Sequence, residues 1–210
     1  HYYGVKNYHI DIVATSEEQA LNSFNVVYNM LEDNKTTMRK YFYWNKTEVI
    51  NKITHSILRY NTANAKTKDG KQTGMIIFNE LHAYEDYKQL NVYTSGLGKI
   101  KHSRTITITT NGVVRDGPLD EKLDLAKEVL NGEENLLGLL PIIYKVNDKK
   151  AVDVPMKKFL KTGDKADINI TIWCQANPSL RYMPVLLNEI IKNYIKMQKQ
   201  KSYRVEFYAK

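Results

Sequence analysis

Cysteine is almost absent: Cys174 stands alone among 210 residues, which excludes an intramolecular disulfide and any metal–thiolate cluster. The five histidines are scattered, without the spacing of a zinc ligand set. Glycine and proline are scarce, 10 and 5, and with 42% hydrophobic residues this argues for one compact domain with a real core rather than a disordered chain. There is no internal repeat and no low-complexity tract. The longest apolar stretch, 136–144, is too short to cross a bilayer and contains Pro141, so a soluble protein with no membrane partner is expected. The single thiol agrees with a reducing cytosol, where the N-x-S/T triplets at Asn34, Asn45 and Asn169 are chance matches. Ser95-Gly96 lacks a G-x-S-x-G elbow, so acyl transfer has no support. Glu80, Glu85, Asp86, Asp116 and Asp120 would build a two-metal nuclease centre only if they converged from separate strands, and Glu85 and Asp86 read as lying on a helix.

What is abundant is positive charge. A net charge of +8 and a pI near 9.3 favour a polyanionic partner, DNA or an acidic surface, because Lys and Arg release condensed counterions from phosphate backbones. The most informative segment is Gly74-Met75-Ile76-Ile77-Phe78-Asn79-Glu80. A short apolar run that ends in an amide and a carboxylate is how a buried parallel strand delivers chemistry to its carboxyl edge, and it reads as a Walker B strand. Farther on, Arg104-Thr105-Ile106-Thr107-Ile108-Thr109-Thr110-Asn111-Gly112 is a second, β-branched strand. Adjacent in a sheet, the two would aim Glu80 and Thr109, Thr110 and Asn111 at one point, as nucleotide hydrolases do around a γ-phosphate and its attacking water.

Phe78-Asn79-Glu80-Leu81-His82-Ala83-Tyr84-Glu85, Thr94-Ser95-Gly96-Leu97-Gly98, Ile108-Thr109-Thr110-Asn111-Gly112 and Ala176-Asn177-Pro178-Ser179-Leu180 occur in that order. Together they resemble the large subunit of a tailed-phage terminase, over nearly the whole chain. The resemblance implies a P-loop NTPase-like ATPase domain, taking ATP and Mg²⁺, of a motor that packs double-stranded DNA into a procapsid. It further implies a homo-oligomeric ring on the portal protein, a small terminase subunit as partner, a nuclease domain elsewhere, and a site in the host-cell cytoplasm with transient docking on the procapsid. Glu80 would be the catalytic residue, Asn79 would support the metal, and Asn79, Thr109, Thr110 and Asn111 would surround the nucleotide. Lys99, Lys101 and Arg104, with His102 the densest basic cluster near that site, are candidate DNA contacts, against the plainer reading of a solvated face.

Two departures matter. No stretch fits G-x-x-x-x-G-K-S/T, the loop whose backbone N–H groups, lysine and hydroxyl meet phosphates and Mg²⁺. Gly98-Lys99 is followed by Ile100, and Tyr93 holds the first glycine's place. The resemblance puts that loop upstream of the strand at 9–14, so the chain is expected to be N-terminally truncated and inactive alone. The second departure is Asn79 where the family pattern has Asp: an amide orients a metal-bound water but lacks the charge that holds Mg²⁺.

Strand and helix alternate along the chain, which predicts α/β architecture with a mainly parallel sheet flanked by helices. The expected elements are a strand at 9–14, a helix opened by overlapping capping boxes in Thr15-Ser16-Glu17-Glu18-Gln19 with Ala20, Phe24, Val27 and Leu31 as its stripe, and a small antiparallel addition over 46–60. A turn at Asp69-Gly70, helices at 83–93 and 118–130, and a strand at 139–146 follow. An ATPase core over 1–146 then gives way to a linker at 147–167 and a long basic helix over 184–208, in a region 147–210 leading toward a nuclease domain. His82 reads either as a packing histidine or as a contact to nucleotide or a neighbouring subunit. The rival from another class is a non-enzymatic module that binds DNA or protein through its basic surface, with the Walker-like strand as plain core.

Overall fold

The computed structural model describes residues 5–62, 73–135, 137–200 and 202–209. The turn expected at Asp69-Gly70 lies outside them. The chain forms two compact units, within 1–124 and 125–208.

The first unit is built on a six-stranded sheet of order β2-β3-β4-β1-β5-β6. Strand β1 (His9–Ala14) leads into helix α1 (Glu17–Asp33), opened by Ser16, whose hydroxyl accepts from the Gln19 amide at 3.3 Å. A short helix α2 (Lys35–Met38) precedes β2 (Phe42–Trp44), β3 (Glu48–Asn51) and β4 (Ile57–Thr62). Strand β3 is antiparallel to both neighbours, so the small antiparallel addition exists and gains β2 as an extra edge. Strands β4, β1, β5 (Thr73–Asn79) and β6 (Arg104–Ile108) are mutually parallel.

Side-chain alternation explains the layers. Ile12 of β1 joins Phe24 and Leu31 of α1 and Val49 of β3 in one buried cluster. The neighbouring Val13, with Ile76 and Phe78 of β5, faces the other way against Leu81, Tyr84, Leu90, Tyr93 and Leu119. Leu90 and Tyr93 come from helix α3 (Tyr87–Thr94), and Leu119 from helix α4 (Pro118–Leu130). Helix α3 starts at Tyr87 rather than Ala83, because the Asp86 carboxylate caps it by accepting from the Lys88 amide at 2.8 Å. Between β5 and α3 the chain makes one 3-10 turn, Leu81–Ala83.

The second unit is helical and corrects three sequence-based expectations. No strand forms at 139–146: among the described residues this run has no ladder partner, and Leu140 is 83% and Ile142 70% exposed. An apolar run is a strand only where a neighbour takes its hydrogen bonds. The stretch 147–167 is no linker, for it contains helix α5 (Lys149–Thr162), capped by Asp148 and ended by Gly163 at φ 72°. Its Val152 and Met156 lie four residues apart and bury together, so a lysine-rich sequence still carries a core stripe. The expected long terminal helix is two, α7 (Val185–Lys199) and α8 (Tyr203–Ala209), parted by a break after Lys199. Helix α6 (Ile170–Ala176) and two 3-10 turns (Lys165–Asp167 and Pro178–Arg181) also belong to the unit, with Trp173, Leu180, Ile191 and Tyr194 in its core. Cys174 is buried there as a free thiol.

Candidate functional site at the carboxyl edge of the parallel strands

Parallel pairing of β5 with β6 sets Asn79 beside Ile108. Both chains therefore leave the sheet at the same edge, and the amide of Glu80 still donates to the Ile108 carbonyl at 2.8 Å. Glu80 then turns sharply, with φ 55° and ψ 54°. A left-handed backbone at a non-glycine residue costs of order 1–3 kcal/mol and concentrates at functional sites. The turn brings the 3-10 segment beneath the end of β6, where Thr109, Thr110 and Gly112 meet His82.

The contacts are short. His82 Nδ1 lies 3.0 Å from Glu80 Oε2, 3.1 Å from Thr109 Oγ1 and 3.3 Å from Thr110 Oγ1. The His82 backbone N–H donates to Thr109 Oγ1 at 3.0 Å, and that hydroxyl donates to the Thr110 carbonyl at 2.7 Å. The Glu80 side chain as a whole is 34% exposed, yet Oε2 is buried and has no well-directed hydrogen bond, because the imidazole beside it is close but badly angled. A buried carboxylate oxygen without a donor is an acceptor site for a small protic molecule. The Tyr84 hydroxyl is likewise buried and unbonded, and burial pushes its phenol well above the ordinary value.

Of the residues expected here, Glu80, Thr109 and Thr110 converge. Asn79 does not: it sits at the strand end, but its amide donates to the Gln19 carbonyl of α1 at 3.4 Å, away from the Glu80–His82 pair. Asn111 is exposed, and its carbonyl accepts from Arg115 at 3.5 Å. Lys99, Lys101 and Arg104 are exposed but are not near the site. Arg104 pairs with Met75 at the opposite, amino edge of the sheet, four residues or about 13 Å of strand from Ile108.

Two features escaped the sequence reading. Arg115 donates to the carbonyls of Val114 at 2.6 Å and Gly112 at 3.0 Å and lies 3.7 Å from Asp120, bracing the turn that follows β6. The other is Asp11, buried on the central strand, which gathers Arg59 at 2.5 Å, Asn61 at 2.7 Å and Thr73 at 2.8 Å. An aspartate between Ile10 and Ile12 was the signal for it. Burial opposes that charge, but hydrogen bonding and attraction from Arg59, then Thr73 and Asn61, hold the carboxyl below its usual range. Burial, followed by the charge of Asp11, pushes the Tyr93 phenol up to about 12.

The donors present do not form a magnesium cage. Among the described residues no three His, Cys, Asp or Glu side chains gather to hold a metal, and the Asn79 amide is turned to Gln19. No helix among them is long and apolar enough to cross a membrane.

Comparison with known proteins fits this geometry. The profile described as "Terminase large subunit, ATPase domain" matches residues 2–128. No curated protein sequence matches the chain. Among solved structures, the large terminase of bacteriophage HK97 superposes with a TM-score of 0.72 at 18% identity, over 98% of this chain and 39% of that one. At that identity the likeness shows the fold, an α/β sheet with helices on its faces. The chain thus spans well under half the length of the HK97 protein. On the match over residues 2–128, the chain belongs to the family of terminase large-subunit ATPase domains.

Proposed function

We propose that the chain is part of the ATP-hydrolysing motor of a phage terminase large subunit, with ATP as substrate and Glu80 as the group that accepts the proton of the attacking water. The observation that carries this reading is the buried, donor-less Oε2 of Glu80 at the shared carboxyl edge of β5 and β6. A water there would donate to Oε2 while its oxygen attacks the γ-phosphorus. As that bond forms, the bond to the β–γ bridging oxygen breaks, ADP leaves, and the proton rests on Glu80. Thr109 and Thr110, in contact with His82, would sense the phosphate and pass its loss to β6.

On the family's pattern Mg²⁺ would enter with the nucleotide, but the Asn79 amide, turned to the Gln19 carbonyl, does not fit it as a ligand. The sequence has no phosphate-cradling loop, so hydrolysis by the chain alone is not expected. Double-stranded DNA is the polyanion that the +8 charge suits, with Lys99, Lys101 and Arg104 as contacts on a face remote from Glu80. The portal protein, a small terminase subunit and a homo-oligomeric ring are the expected partners, in host cytoplasm and on the procapsid.

The test is Mg²⁺-dependent ATP hydrolysis by the full-length protein, with and without Glu80→Gln, beside the present chain. Loss of turnover in the Gln variant supports the motor reading. Full activity in that variant removes Glu80 from catalysis. The non-enzymatic binding module then takes its place if DNA affinity falls steeply with salt and ignores nucleotide.

A further inference from the structure

We infer that His82 is the positioning residue of the site: its ring, with a hydrogen on Nδ1, is packed between the Glu80 carboxylate and the Thr109–Gly112 turn, so that the end of β6 limits where Glu80 points. This rests on the reading of Glu80 as proton acceptor. The geometry begins with the distances of 3.0, 3.1 and 3.3 Å from one ring nitrogen to Glu80 Oε2, Thr109 Oγ1 and Thr110 Oγ1.

Hydrogen-bond inventory places the proton. A threonine hydroxyl has one hydrogen, and that of Thr109 goes to the Thr110 carbonyl at 2.7 Å. Toward His82, Thr109 Oγ1 can therefore only accept, and it already accepts the backbone N–H of His82. An ionised Glu80 also only accepts. A bare Nδ1 would oppose its lone pair to both and could accept only from Thr110 Oγ1 at 3.3 Å; an Nδ1–H donates to Thr109 Oγ1 and rests against the carboxylate, off the line of a bond to Oε2. Groups at the ends of two strands thus favour the ring with its hydrogen on Nδ1, the less common tautomer.

Sterics make the link stiff. A Cβ on Gly112 would fall 2.5 Å from His82 Cβ and 2.6 Å from its ring, so the turn after β6 lies directly against the imidazole. Gly112 is also at φ 60°, which suits glycine. Arg115, bonded to the carbonyls of Gly112 and Val114, holds that turn from outside. A shift of the β6 end would displace His82, and with it Glu80. The imidazole, angled off the line of a hydrogen bond to Oε2, leaves that oxygen open to water while limiting where it can swing.

Two measurements test this. In the present chain, long-range ¹H–¹⁵N correlation at a pH where the ring is neutral should show His82 with its hydrogen on Nδ1; an Nε2–H ring overturns the inference. In the full-length protein, His82→Ala and His82→Gln should lower kcat by about 10- to 100-fold with KM for ATP unchanged, as expected of a misplaced catalytic group. His82→Asn, whose amide reaches the place of Nδ1–H, should recover much of that loss. Wild-type kcat in both the Ala and Gln variants, or an Asn variant no better than Gln, sinks the role of His82. Because Glu80→Gln is measured beside them, failure of His82 alone is separable from failure of Glu80.

Discussion

Arg59 on β4 holds Asp11 on the adjacent β1 through Nε at 2.5 Å, within the sheet's interior. Asp11 has 3% of its side chain exposed and Arg59 23%. Removing the cation strands a buried carboxylate, so Arg59→Leu should cost about 3 kcal/mol in urea denaturation, at the low end for a broken buried pair because Arg59 reaches solvent. The folded carboxyl titrates below its unfolded counterpart. Its stabilisation is therefore fully present above the unfolded value of about 3.9 and is lost as pH falls through the lower folded one. Asp11→Asn should flatten that acid limb of the stability curve; an unchanged limb would show that Asp11 is not its source.

Gly112→Ala forces a methyl group into His82 and a left-handed backbone onto alanine. The expected loss is about 1–3 kcal/mol in thermal unfolding, with the resonances of His82 and Thr109 shifted. Gly132→Ala, also left-handed at φ 88° but with open space around the added carbon, serves as control, since it carries the backbone cost without the clash. Equal losses in the two would mean that Gly112 and His82 do not press on each other.

Asn79→Asp would set a carboxylate oxygen where an amide now donates to the Gln19 carbonyl. The variant should lose about 1 kcal/mol without metal, the usual worth of a hydrogen bond, and regain stability as Mg²⁺ is added. The wild-type melting temperature should not respond to Mg²⁺ alone. A magnesium-dependent rise in the wild type would show that the amide supports a metal after all.

Strand β6 pairs only with β5 among the described residues, and its Ile106 and Ile108 are 41% and 57% exposed. Unblunted edges pair with other chains, so the isolated chain should self-associate with concentration, and Ile106→Lys should reduce this in sedimentation velocity. Identical behaviour of the Lys variant would place association elsewhere.

In the helical unit the Tyr194 hydroxyl donates to Asp153 Oδ1 at 3.1 Å, and the Tyr208 hydroxyl approaches the same carboxylate at 3.1 Å. Burial, then the Asp153 charge, raises both phenols. Tyr208→Phe removes one charge-assisted bond that anchors α8 and should cost about 1.5 kcal/mol in unfolding. Asp153→Ala leaves both hydroxyls unserved and should cost more; a smaller loss than Tyr208→Phe would mean that the carboxylate is not the anchor.

Much of this was legible residue by residue. The apolar run Met75 to Phe78 made β5 a buried parallel strand, a capping box within Thr15–Gln19 opened α1, and Pro118 opened α4. Their cause lies within a few residues: alternation, a cap, a fixed φ. The strand expected at 139–146 failed because its outcome depended on a neighbour, and the helix at 149–162 was hidden because its lysines masked a stripe of Val152 and Met156. That Glu80, Thr109 and Thr110 meet followed from their strands, whereas the Lys99, Lys101 and Arg104 cluster was expected near them only by closeness in the chain.

The sequence by itself determined the candidate residues: a carboxylate after an apolar strand, hydroxyls after a β-branched one, and a family pattern joining them. Only the tertiary structure decided that Glu80 turns left-handed, that His82 stands between Glu80 and Thr109, that Asn79 faces α1, and that Asp11 is neutralised by a neighbouring strand. Local order follows from side-chain volume and backbone preference over a few residues. A hydrogen bond between residues 27 apart, such as that from the His82 amide to Thr109, exists only once strand register has fixed where both ends lie.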